Sequence, residues 1–270
     1  MGGVMASFED VFGPAALKVE RANHHINDLN AQINAFIARK PFGFVRKENH
    51  TQGKALVRTD QYEPIPTAVS LIAGDAIHNL RAALDMVMYG ILHQVAKDPT
   101  RIAFPIAWRG PEALEGAINK GQANLCRKEV IDEIKALEPY PRGRYLLHEL
   151  HELDVIDKHR LIITTTHETL IRASEADKVL PWMPAGSDKI TLALHRETAF
   201  EYPIPRLPRR QRRAMRDDAI VETEIEVKPT FVVCFEEGQP LARKGVVAEL
   251  QKMSGFVREA CERVARAHVG

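Results

Sequence analysis

Apolar residues return at three- and four-residue intervals through "PAALKVERANHHINDLNAQINAFIARK", where Leu17, Ile26, Leu29, Ile33, Phe36 and Ile37 fall on one face. That spacing predicts an amphipathic helix from about Pro14 to Lys40, closed by Pro41. The period then changes. "FGFVRKENHTQGKALVRT" alternates apolar and polar residues around the turn-forming "NHTQG", which predicts a β-hairpin over residues of about 42–60. A second long helix is predicted from about Thr67 to Val95, ended by Asp98-Pro99. Its core stripe is Ala73, Ile77, Leu80, Leu84, Val87, Met88 and Ile91.

Shorter helices follow: one after the loop "IAFPIAWRGPEAL", one from about Arg127 to Leu137, and one from about Arg144 to His159. Pro139 and Pro141 separate the last two. From Leu161 the chain turns β-branched and alternating, in "LIITTTHETLIRA", "KITLALHRETAFEYPI", "AIVETEIEV" and "TFVVCFEE", which read as strands. A closing amphipathic helix from about Lys244 to Ala267 carries Val247, Leu250, Met253, Phe256, Val257, Cys261 and Val264. The expected class is α+β: a helical bundle body with an inserted N-terminal hairpin, and a mainly antiparallel C-terminal sheet closed by a final helix. The expected division is a helical domain over residues of about 1–160 and a β-rich region with its helix over about 161–270, packed as one unit.

Composition narrows the setting. The 270 residues are 45% hydrophobic and 27% charged, an ordinary globular balance, and the formal net charge of +1 provides no global attraction to nucleic acid or membrane. Cys126, Cys234 and Cys261 are scattered, which points away from a disulfide framework and toward a reducing compartment. The start lacks the pattern of a secretory signal, and no apolar run reaches the ~18–20 residues needed to span a bilayer. A cytoplasmic protein without membrane association is expected. The sequence leaves the oligomeric state open, a homodimer included.

Candidate chemistry gathers on the second long helix. In "GDAIHNLRAALDM", Asp75, His78, Arg81 and Asp85 form a polar stripe beside the core stripe, and Arg81 and Asp85 are spaced to pair along the helix. Met86, Tyr89 and Leu92 flank this stripe, which leaves two readings open: a stripe that points between helices, or the solvated polar face of an amphipathic helix. In "RYLLHELHELDVIDKHRLI", Leu146, Leu150, Leu153 and Leu161 share a face, with Asp157 in its middle. A buried carboxylate needs a partner, and His78 or Arg81 is the expected donor to Asp157. His148, Glu152 and His159 lie on another stripe near His151, but their spacing matches no defined metal motif, so neither a metal nor a cofactor is expected. Six arginines between Arg206 and Arg216, Arg209, Arg210, Arg212 and Arg213 among them, could hold RNA or another anionic ligand. No GxGxxG, GK[ST] or GxSxG signature occurs.

The string "SLIAGDAIHNLRAALDMVMYGI" resembles a family of bacterial proteins without an assigned activity, whose pattern couples such a helix to "FPI", "PY" and "DKHR". The matching positions are Gly74, Asp75, His78, Asn79, Leu80, Arg81, Ala83, Leu84 and Asp85, then Phe104–Ile106, Pro139-Tyr140 and Asp157–Arg160. The same helix is similar to HEPN domains, many of which cut RNA with an arginine followed four to six residues later by a histidine. That resemblance implies an RNase or phosphodiesterase-like hydrolase with Arg81 stabilising developing charge. Met86 stands where the histidine would be, which leaves His78 or His159 to carry the proton. The residues themselves leave two readings open. In the first, His78, Arg81, Asp85, Asp157 and His159 are catalytic. In the second, the protein is a non-catalytic module that binds an anion or a protein, with Asp75, Asn79 and the four loop arginines as ligand contacts and the cluster as an internal salt-bridge network.

Overall fold

Ser7 and Asp10 start the first helix earlier than the apolar pattern does. Ser7 Oγ accepts from Asp10 N at 3.2 Å, and Asp10 Oδ2 accepts from Ser7 N at 2.8 Å, a reciprocal capping pair. In the computed structural model, helix α1 accordingly runs Phe8–Ala38 and carries Pro14 inside it rather than at its start. The structure describes residues 7–61, 63–160, 165–172, 189–192, 199–206, 208, 220–225 and 230–270. The four loop arginines Arg209, Arg210, Arg212 and Arg213 lie outside the described residues.

After α1 come strands β1 (Phe42–Asn49) and β2 (Lys54–Gln61), then helices α2 (Thr67–Val95), α3 (Leu114–Lys120), α4 (Lys128–Ala136) and α5 (Leu147–Arg160). Strands β3 (Thr165–Arg172), β4 (Lys189–Leu192), β5 (Ala199–Pro203), β6 (Ile220–Ile225) and β7 (Thr230–Phe235) precede the final helix α6 (Val246–Val269). The fold is α+β, with the hairpin and the closing helix in place. The alternating run "KITLALHRETAFEYPI" supplies two strands rather than one, β4 and β5, and they belong to different sheets. Among the described residues no helix is long and apolar enough to cross a membrane.

The contacts divide the chain into two units: Met1–Gln32, Thr67–Thr164 and Phe235–Gly270 in one, Ile33–Pro66 and Thr165–Cys234 in the other. A single cut near residue 160 would leave the hairpin with the helices and α6 with the strands. Hydrogen bonding and packing group them the other way. In the sheet unit, the order β5-β2-β1-β6 is antiparallel throughout, so the hairpin is the centre of a four-stranded sheet. One sheet face buries Phe44, Ala55, Val57 and Tyr202, and the other pairs Lys47 and Arg58 with Glu222 and Lys54 with Glu201. A second sheet has the order β4-β3-β7.

In the helical unit α2 is the central element. Ile77, Leu80, Leu84, Met88, Ile91 and Leu92 are fully buried, and α2 packs against both α5 and α6. Helix α6 continues onto α4, and Ser254 of α6 donates to Asn23 of α1 at 2.6 Å. This packing sets the polar side of α2 against α5.

A candidate anion-binding cavity beside Arg81

Leu146 has a positive φ of 53° and stands outside α5, so the apolar face of that helix is counted from Leu147. Leu147, Leu150 and Leu153 are buried, and the carboxylate buried with them is Asp154, 2% exposed, while Asp157, on the same face one turn further on, is only half-buried. Asp154 accepts from His78 Nδ1 at 3.2 Å and from Lys158 Nζ at 2.6 Å. The polar stripe of α2 therefore does meet a buried carboxylate of α5, one helical turn before the residue the spacing singled out.

Asp157 is half-buried over Gly74. A Cβ on that glycine would lie 2.6 Å from Asp157 Oδ1, so the glycine makes room for the carboxylate. Among the described residues Asp157 makes no hydrogen bond or ion pair with His78 or Arg81. Burial and then the neighbouring carboxylates Asp154 and Asp75 raise its pKa, against the opposing charges of His78 and Lys158.

Arg81 is itself buried, at 6% exposure. Its Nη1 donates to Asp85 Oδ1 at 2.7 Å, its Nη2 to the Phe104 carbonyl at 3.4 Å, and its Nε to His151 Nδ1 at 3.3 Å. Asp85 Oδ1 also accepts from Phe104 N at 2.8 Å. Arg81 and Asp85 thus bind both polar groups of the Phe104 backbone and fix the "FPI" loop to α2. Beneath them, burial pushes the Cys261 thiol up to about 12, so it is an inert packing group rather than a nucleophile.

His151 is the imidazole that stands beside Arg81, supplied by α5 rather than by position 86 of α2. Because Arg81 Nε–H is the donor, His151 Nδ1 holds a lone pair, and the proton of the neutral ring sits on Nε2. Burial and then the Arg81 charge push the pKa of His151 down to about 4. Trp108 packs against it at 5.1 Å and against His148 at 5.7 Å, both T-shaped. Met86 is exposed on α2, at 38%.

Arg81, His151 and Trp108 line a cavity of about 580 Å³, walled by the loop 101–109 and by α3. Much of the wall is apolar: Ile102, Phe104, Pro105 and Ile106 on the loop, Ala117 on α3. Gly121 lets the end of α3 abut the loop, since a Cβ there would lie 2.6 Å from the Ala103 carbonyl oxygen. Arg101, Arg109 and Lys120 complete the lining with three exposed cations, and no carboxylate lines it. Among the described residues their side chains make no hydrogen bond or ion pair.

The structure thus gathers His78, Asp154 and Asp157 on one side of the α2–α5 contact, and Arg81, Asp85 and His151 on the other. Asn79 instead bridges toward α1, accepting from Lys18 Nζ at 3.4 Å. Asp75 and His159 are exposed and do not line the cavity. His148 Nδ1 lies 3.9 Å from Glu152, and among the described residues no cluster of His, Cys, Asp or Glu is assembled as a metal site requires. Sequence reasoning missed His151 as a site residue, together with Trp108, Arg101, Arg109 and Lys120; the one signal available was the closeness of "FPIAWR" to a helix bearing an arginine–aspartate pair. Comparisons with protein-family models, curated proteins and solved structures give no match for this chain.

Proposed function

We propose that the helical unit binds a small anionic ligand in the cavity beside Arg81 and does not turn it over. The observation that carries this reading is the lining: Arg101, Arg109 and Lys120 around an apolar chamber, with Arg81 neutralised by Asp85 and no offsetting carboxylate. Low-dielectric walls concentrate the field of such cations, and the volume lies within the roughly 300–1,000 Å³ of small-ligand pockets. The Arg81–Asp85 pair holds the loop wall in place and is not the anion's partner.

A second reading, RNA cleavage of the HEPN kind, draws on the Arg81–His151 contact. It asks the imidazole to move a proton, yet the acceptor nitrogen of His151 faces Arg81 and Nε2 carries hydrogen. That ring can donate a hydrogen bond but has no lone pair free for a general base. Arg81 has likewise committed its fork to Asp85 and Phe104. Binding is the better supported function.

The test uses two fluorescent probes of similar shape, 8-anilinonaphthalene-1-sulfonate and uncharged N-phenyl-1-naphthylamine. Replacing Arg101, Arg109 and Lys120 together with glutamine should weaken the sulfonate at least tenfold and leave the neutral probe within twofold. Equal sulfonate affinity in both proteins overturns the proposal.

A further inference from the structure

Two independent features of the cavity, its charge and the shape of its wall, select a ligand class, and that class rests on the anion-binding reading. On charge, Arg81 is compensated by Asp85 at 2.7 Å, while Arg101, Arg109 and Lys120 have no partner among the described residues. A monoanion would leave most of that positive charge unmatched. A group with two negative charges matches it better, and a phosphate monoester also fits the forked donors of arginine.

On shape, Ala113, just before α3, and Gly116 and Ala117 of α3 line the cavity with nothing larger than a methyl group, and Lys120 stands at the far end of the helix. Gly116 is exposed and a Cβ added there would meet nothing within 4 Å, so the wall of the cavity is low and open at that point. Trp108 also lines the cavity and is 52% exposed, an aromatic surface left open by the described residues. A low wall and an uncovered indole together suit a flat ring, which packs on both without needing a deep pocket.

We infer that the cavity takes a small planar-ring dianion, a ring carrying one phosphate-like group, with the ring against Trp108 and Gly116 and the charge on Arg101, Arg109 and Lys120. His151 contributes an Nε2–H donor and no negative charge, which keeps this end of the chamber compatible with an anion at neutral pH.

The experiment titrates the full chain at pH 8 with phenyl phosphate, cyclohexyl phosphate, benzoate, inorganic phosphate and benzyl alcohol, each followed by calorimetry. Phenyl phosphate should bind at least tenfold tighter than each of the others. Gly116→Leu should weaken phenyl phosphate at least tenfold and leave inorganic phosphate within twofold. Leucine is a better helix former than glycine, and a Cβ at position 116 meets nothing within 4 Å, so a melting curve and circular dichroism no worse than wild type should accompany that loss. Benzoate equal to phenyl phosphate overturns the dianion. Inorganic phosphate or cyclohexyl phosphate equal to phenyl phosphate overturns the planar ring. In those cases charge-dependent sulfonate binding still stands. If no anion binds and the sulfonate probe ignores the three cations, the binding function falls as well.

Discussion

Arg81 Nε lies 3.3 Å from His151 Nδ1, a guanidinium and an imidazole held together across the α2–α5 contact with the histidine as acceptor. The pair survives only while the ring is neutral, because a proton on Nδ1 would set donor against donor. His151 has its pKa lowered from 6.5 to about 4 in the folded chain. The unfolded chain therefore takes up a proton at higher pH than the folded one, and stability falls as pH drops from about 6.5 toward 4. Denaturant unfolding of the wild type and of His151→Gln across that range should show the steeper loss in the wild type. Nitrogen NMR of the ring at pH 7 should find the Nε2–H tautomer. Parallel pH profiles would remove the pair from the account.

The two aspartates of α5 should behave oppositely. Asp154→Asn breaks charge-assisted hydrogen bonds at a buried site and should cost about 1.5 kcal/mol, held at the low end because His78 and Lys158 are half exposed. Asp157→Asn removes a carboxylate whose ionised form burial, Asp154 and Asp75 all disfavour, so it should leave stability unchanged or raise it at pH 7. Chemical denaturation of both variants measures the difference. A larger loss at Asp157 than at Asp154 would contradict the assignment.

Gly74 and Asp157 should show coupling in a double-mutant cycle. Gly74→Ala puts a Cβ 2.6 Å from the carboxylate of Asp157 and forces the end of that half-exposed side chain to move, a cost at or below the low end of the roughly 1–3 kcal/mol of core overpacking. In an Asp157→Ala background that obstacle is gone, and the same substitution should stabilise by about 0.5–1 kcal/mol through helix propensity. Additive effects would mean the close approach carries no strain.

Order and type of the elements were legible because each segment has one clear period. The hairpin alternates over its whole length, α2 and α6 keep a helical stripe, and "SFED" even carries the capping signal that places the start of α1. Strand pairing was not legible: β1 and β2 find β6 and β5 from more than a hundred residues away, and alternation says nothing about partners. The site failed on depth. Asp154 and Asp157 fall on the same face of α5 by angular count, and only the packing shows that the earlier turn is buried and the later one half-exposed. His148, His151 and His159 are equivalent in a one-dimensional reading, and only the way α5 lies against α2 selects His151 for Arg81. Arg101, Arg109 and Lys120 sit on a loop and a short helix without periodicity, so their convergence exists only in three dimensions.

RNA cleavage should be absent from this chain, and Met86→His should not create it. The thioether at Met86 can neither give nor take a proton, and a histidine there would project from an exposed position while Arg81 stays bound to Asp85, Phe104 and His151. General acid–base transfer typically contributes ~10²–10⁴-fold, so its lack, with Arg81 already committed, should leave little cleavage. A gel assay on single-stranded RNA with both proteins decides this. Cleavage that disappears on Arg81→Ala would reinstate the nuclease reading.

Uncompensated positive charge surrounds the cavity beside Trp108, and collisional quenching reads it directly. The chain has two tryptophans, so Trp182→Phe leaves Trp108 as the single reporter. Iodide, an anion, should then quench Trp108 more strongly than in a version lacking the charges of Arg101, Arg109 and Lys120, while neutral acrylamide quenches both alike. The iodide constant should fall at least twofold at low salt when the three cations are removed. An iodide constant unchanged by removing the three cations would contradict it.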